Sequence, residues 1–159
     1  MMPTARRLAL GLGLAAVVVV LDQASKGYVI DLLTPPPHAV ILTGWLNLVM
    51  TWNHGISFGL FSGQAGPYIF VAVALAVSAG LVVWMVRDRR PAAALWLGLV
   101  IGGAVGNVID RVRLGAVADF IDVHAGTWHW PAFNIADSAI TLGVALILID
   151  GLFSRPEMS

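Results

Sequence analysis

Cysteine is absent from this chain of 159 residues. That excludes a disulfide framework, a thiolate metal site and a cysteine nucleophile. It also leaves the chain no cysteine of its own to carry a lipid. Charge is scarce. Asp, Glu, Lys and Arg make up 11% of the residues, against about 25% in a soluble domain. The few charges cancel, nine Lys+Arg against nine Asp+Glu, so no basic excess points to nucleic acid or another polyanion. Sequence repeats and low-complexity tails are lacking too. What fills the chain is apolar sequence, 58% of it. Such a chain cannot cover a water-facing surface with charge or hide its apolar residues in a small core. Disorder and an ordinary cytosolic domain are excluded. An integral membrane protein remains, organised as one compact unit over 1–159.

A helix crosses about 30 Å of hydrocarbon with roughly 20 mostly apolar residues. Four segments meet that length: 8–30, 67–86, 92–109 and 135–153. Asp22 and Lys26 sit near one end of the first. Gly98, Gly102, Gly103 and Gly106 give the third a face for close helix approach. The links 31–66 and 110–134 are long and polar enough to be folded loops, and both fall on one side. Pro35-Pro36-Pro37 stops any helix. From Val40 to Asn53, β-branched residues broken by Gly and Asn suggest short strands or a folded loop. Phe58 to Phe61 reads as a short interfacial helix.

Positive charge sets the orientation. Arg6, Arg7, Arg87, Arg89, Arg90 and Arg155 fall on one side of a four-span chain, and Lys26, Arg111 and Arg113 on the other. Both termini are then cytoplasmic and the long loops face outward. Trp45, Trp52, Trp128 and Trp130 lie in those loops, as interfacial tryptophans do. Arg6-Arg7 followed by an apolar run also resembles a cleavable signal peptide. Asp22 stands where a small residue belongs, and three spans follow, so a retained first span is the better reading.

An ionisable residue at a span edge is costly and usually functional. The outer edge collects Asp22, Lys26, Asp110, Arg111, Asp119, Asp122 and Asp137, with Asn53, Asn107 and Asn134. Asp22 and Lys26 are spaced i,i+4 with the acid first, the favourable order for a helical ion pair. Asp110 adjoins Arg111. Asp119 and Asp137 have no such local cation. Two carboxylates brought together in a poorly hydrated site share a proton. One can then activate water while the other donates to a carbonyl. Spacing alone is weak support, since the two lie 18 residues apart on different elements.

Five blocks carry more. They are Leu21-Asp22-Gln23-Ala24-Ser25-Lys26, Trp52-Asn53-His54-Gly55-Ile56-Ser57-Phe58-Gly59, Gly102-Gly103-Ala104-Val105-Gly106-Asn107-Val108-Ile109-Asp110-Arg111, Val117-Ala118-Asp119-Phe120-Ile121 and Phe133-Asn134-Ile135-Ala136-Asp137. In that order, on a four-span chain of this length, they resemble the lipoprotein signal peptidase (signal peptidase II) family. The resemblance implies four transmembrane helices with a small extracytoplasmic β-cradle and a short periplasmic helix, the last two over about Leu33 to Ala65. It implies an aspartyl endopeptidase of the bacterial inner membrane, with no cofactor and no metal. The substrate would be a prolipoprotein with a diacylglyceryl cysteine, cut just before that cysteine beside the outer leaflet. The family's catalytic aspartates map onto Asp119 and Asp137. Its supporting or substrate-binding residues map onto Asp22, Lys26, Asn53, Gly55, Asn107, Asp110, Arg111 and Asn134. Membrane lipid is the expected surrounding, and nothing in the sequence demands more than a monomer.

Blander readings stand beside these. Asp119 and Asp137 can be helix caps or loop acceptors. Asp22 and Lys26 can simply pin a helix end, and the asparagines can be interhelical hydrogen bonds. Arg111 can pair with Asp110 or meet a lipid phosphate. His124 and His129, near Asp119 and Asp122, suggest a zinc set only loosely, and an interfacial place beside tryptophans suits them better. A small ion- or drug-coupled transporter is the rival function. It would carry its acid near mid-span, whereas these acids gather at one edge.

Overall fold

The computed structural model describes residues 3–34, 39–55 and 66–153. Its four helices are α1 (Thr4–Leu33), α2 (Gly66–Arg87), α3 (Pro91–Leu114) and α4 (Ile135–Phe153), each long and apolar enough to cross a membrane. Four strands, β1 (Val40–Ile41), β2 (Leu46–Asn53), β3 (Val117–Ala125) and β4 (Trp128–His129), form one antiparallel sheet in that order. The chain is therefore mainly helical with a small sheet at one end. Phe58 to Phe61 lies outside the described residues.

Helix α3 is the hub, packing against all three other helices. Its glycines explain why. Gly98 lies against the Gly11 backbone of α1, and Gly102 against Ala15 and Val18. Gly103 lies against Ala136 of α4, and Gly106 against the Asp22 carboxylate. Lipid tails are as apolar as leucine, so close van der Waals contact holds such helices together. A Cβ at Gly98 would overlap the Gly11 carbonyl. Gly98→Leu is expected to cost about 1–3 kcal/mol through overpacking, read as a lower thermal midpoint in detergent. Gly13, with open space around it, is the control position for the same substitution.

The turn between α2 and α3 lies beside the start of α1 and the end of α4. Arg7, buried, donates from Nη1 to the Arg89 carbonyl at 3.1 Å. Arg90 bridges Asp88 and Asp150 at 2.8 and 2.6 Å. The arginine-rich ends thus share one side, and the sheet occupies the other.

The sequence ends the third span at Ile109, because Asp110 and Arg111 break the apolar run. The helix continues to Leu114. Asp110 is paired inside the bundle, so its charge is no reason to leave the helix. Termination falls to Gly115, whose left-handed φ of 76° lets its N–H close on the Arg111 carbonyl. The chain then runs straight into β3. Residues Phe120 and Ile121 exchange hydrogen bonds with Phe133, which lays the entry to α4 against the same strand.

Candidate active site

Two aspartates meet where β2, β3, α3 and α4 converge. Asp119 lies on β3, opposite Thr51 of β2, past an irregularity between Leu48 and Thr51. Asn53 is two residues further along β2 and so on the same face. Its Nδ2 donates to Asp119 Oδ2 at 3.0 Å. The Asn53 Oδ1 is held by the Gly55 N–H at 3.0 Å, in a turn where Gly55 takes a φ of 111°. A side chain there would also strike the Phe70 ring.

Asp137 sits in the first turn of α4. Asn134, just before that helix, accepts the Asp137 N–H on Oδ1 at 2.9 Å. Asp137 Oδ2 accepts the Asn134 N–H at 3.3 Å. This is a reciprocal capping box, so the bland reading of Asp137 as part of a helix cap holds. It does not exhaust the site. Asn134 Nδ2 also reaches Asp119 Oδ1 at 2.6 Å, and Asn107 Nδ2 reaches Asp137 Oδ1 at 2.8 Å. One fully buried side chain, Asn134, therefore ties both aspartates to the start of α4.

Asp119 is 3% exposed, and its environment opposes ionisation. Burial pushes its carboxyl above the ordinary carboxylate range, and the nearby Asp137 charge pushes the same way. The hydrogen bonds from Asn53 and Asn134, and the Lys26 charge, work against that shift.

Beneath the pair lies a buried polar cluster. Lys26 Nζ contacts Asp22 Oδ2 at 2.8 Å, Asp110 Oδ2 at 2.7 Å and Asn107 Oδ1 at 3.1 Å. Asp22 Oδ1 accepts the Ala136 N–H at 2.9 Å, capping α4 from α1. Asp110 Oδ2 accepts the Ala118 N–H at 3.2 Å, steadying the strand that carries Asp119. Asp110 therefore pairs with Lys26 and not with its neighbour Arg111. Arg111 lies over the Phe70 ring at 5.4 Å and donates to the Asn107 carbonyl at 3.3 Å. Gln23, which the sequence pattern does not single out, joins the cluster. It donates to Asp110 Oδ1 at 2.8 Å and Asp22 Oδ2 at 3.1 Å. The signal that could have found it is a polar amide beside Asp22 in an otherwise apolar helix.

Asp122 points away from this cluster, as strand alternation requires. It accepts from Asn47 at 3.0 Å and pairs with His129 at 2.8 Å. The His129 contact, then that of Asn47, holds its carboxyl below the usual range. His129 stacks on His124 at 5.0 Å.

Two cavities open on the aspartates. One of about 500 Å³ is lined by Thr51, Asn53, Gly55 and Asp119. One of about 670 Å³ is lined by Trp130, Phe133, Asp137, Ser138 and Leu142. Pro131 and Ala132 wall both.

Four apolar helices with a carboxylate pair at the foot of a small sheet define a polytopic membrane protein with a polar site at one end. The Signal peptidase (SPase) II family profile matches residues 14–153, and the chain belongs to that family: it is a bacterial membrane peptidase. It is 45% identical over 153 residues to a lipoprotein signal peptidase of Methylobacterium sp. (strain 4-46), covering 94% of this chain and 93% of the relative. It is 39% identical over 155 residues to one of Anaplasma phagocytophilum (strain HZ), covering 97% and 99%. Two solved bacterial membrane enzymes superpose on it. One has a TM-score of 0.76 at 31% identity, over 94% of this chain and 93% of that one. The other has 0.79 at 32%, over 91% and 94%.

Proposed function

We propose that this chain is an aspartyl endopeptidase that removes the signal peptide from diacylglyceryl-modified prolipoproteins, cutting just before the lipidated cysteine. Asp119 and Asp137 are its catalytic pair. The observation that carries this reading is the pair itself, two carboxyl groups held by one buried asparagine where two cavities adjoin across Pro131 and Ala132. Asp22, Lys26, Asn53, Gly55, Asn107, Asp110, Arg111 and Asn134 support or bind around it. The protein acts as one membrane-embedded unit, a monomer in the inner membrane with both termini cytoplasmic and the site beside the outer leaflet. The arginine-rich ends on the side away from the sheet support that orientation.

The pair works with one proton between its members and titrates as a unit. The burial of Asp119 biases that proton towards it. Asp137 takes a proton from water as the oxygen attacks the scissile carbonyl, and Asp119 protonates the carbonyl oxygen. In collapse the C–N bond breaks. The leaving nitrogen takes the proton from Asp137, and Asp119 recovers its own from the diol. The cavity along α4, with Leu142 on its wall, suits the apolar arm of such a substrate.

The test is turnover of a diacylglyceryl-modified precursor by the purified protein in detergent. Mass spectrometry should find a product beginning with the lipidated cysteine. A cut elsewhere, or equal cleavage of the unmodified precursor, would refute the substrate assignment. The pH profile of kcat/KM should be bell-shaped. On the acid side, activity falls as the ionised carboxylate takes up a proton. On the alkaline side it falls as Asp119 loses its own. Because burial raises Asp119, that second limb should lie above the usual carboxylate range.

A further inference from the structure

We propose that Lys26 is a positioning residue for catalysis, which fixes the Asn107 side-chain amide so that its nitrogen, and not its oxygen, faces Asp137. This rests on the assignment of Asp119 and Asp137 as the reacting pair. The argument is one of donor and acceptor arithmetic. An ammonium group only donates. Lys26 Nζ lies 3.1 Å from the Asn107 side-chain terminus, so the atom facing it is the amide oxygen. The amide is planar, so its nitrogen points the other way, 2.8 Å from Asp137 Oδ1. Were the amide turned over, its N–H would face the ammonium and its oxygen would face a carboxylate.

Other neighbours leave this role to Lys26. Among the described residues, the other donor to the Asn107 oxygen is Asn134 Nδ2, at 3.4 Å, a longer and uncharged contact. The other two site amides are turned by main-chain N–H groups. Gly55 turns Asn53 and the Asp137 N–H turns Asn134. Lys26 is itself fixed, 2% exposed between Asp22 and Asp110. A chain of rigid contacts thus runs from α1, through α3, to the carboxylate on α4. It explains why a buried ion pair stands under the site, where a packed apolar pair would hold two helices as well.

The charged groups facing the pair are Arg111 from α3 and Lys26 from α1, with each aspartate facing the other. Arg111 is held by the Asn107 carbonyl and the Phe70 ring, not by Lys26. Loss of the Asn107 donor removes a hydrogen bond to the ionised form of Asp137. Asp137 then loses the contact that orients it toward the attacking water, which lowers kcat and leaves substrate binding alone.

The experiment is a double-mutant cycle on the full chain in detergent, with the diacylglyceryl-modified precursor as probe. Lys26→Met is combined with Asp110→Asn so that fewer buried charges are left unpaired. Asp110→Asn is the common background, because Asp110 also holds the Ala118 N–H, and Lys26→Met, Asn107→Ala and both together are measured in it, each checked for thermal unfolding. Misplacement of a reacting group costs up to about 100-fold. Lys26→Met and Asn107→Ala should each lower kcat by roughly 10- to 100-fold with KM within about twofold. All three together should be no worse than Asn107→Ala in the Asp110→Asn background. Multiplying effects, or a change in KM alone, would overturn the proposal. If the Lys26 variant does not fold, Asn107→Ala decides, since it leaves the ion pair intact: an unaltered kcat would overturn it. Asp119→Asn and Asp137→Asn run alongside. If they keep turnover, the catalytic pair is wrong; if they are inactive and the cycle is flat, only the Lys26 role falls.

Discussion

Asp119→Asn and Asp137→Asn are each expected to lower kcat by about 10²- to 10⁴-fold, the range that positioned acid–base groups supply. An amide neither takes a proton from water nor gives one to a carbonyl oxygen, so either change removes a chemical step rather than a contact. The two should differ in stability. Asn at 137 offers one oxygen to two donors, the Asn134 N–H that closes the helix cap and the Asn107 amide. Asn at 119 offers one oxygen to two amide donors, from Asn53 and Asn134. One donor is then left facing an NH2 group in a buried place, which costs about 1–3 kcal/mol. Asp119 is buried and Asp137 only half-buried, so thermal melting should fall more for Asp119→Asn. Asp122→Asn is the control, on the opposite face of the same strand, and should keep turnover. Persisting activity in either variant of the pair, in protein shown to be folded, would end the dyad mechanism.

Much of this arrangement is legible in the residues because membrane insertion makes charge expensive. Asp22, Lys26, Asp110, Asp119 and Asp137 stand out against apolar sequence, and the structure gathers all five at one end. The helices follow from apolar run length, and α4 has the bounds that the run suggests. Pairing is not legible in the same way. Adjacent residues such as Asp110 and Arg111 point about 100° apart around a helix, so neighbourhood in sequence misleads. Asp110 turns inward to Lys26 of a different helix, and its neutralisation is what lets α3 run on to Leu114. The direction of each amide is hidden as well. Asn53, Asn107 and Asn134 read alike in sequence, yet each is turned by a different donor, a loop N–H, a lysine and a helix N–H. Only tertiary contact supplies those partners.

Asp22→Ala should lower the thermal midpoint by on the order of 10 °C, from a loss of about 3–5 kcal/mol. The side chain is fully buried and serves three partners at once. It neutralises Lys26 within α1, it caps the Ala136 N–H of α4, and it accepts from Gln23. Alanine leaves one carboxylate for the ammonium and none for the helix N–H. Asp22→Asn separates these parts. It keeps an oxygen for Ala136 but loses the charge and the acceptor that faces Lys26 and Gln23, so it should recover only part of the stability. Activity should follow the helix cap rather than the charge, because the N-terminus of α4 carries Asp137. Turnover measured below both midpoints should then be lower for Asp22→Ala than for Asp22→Asn. Equal melting of Asp22→Ala and the unaltered chain would mean that the bundle holds α4 in place without this carboxylate.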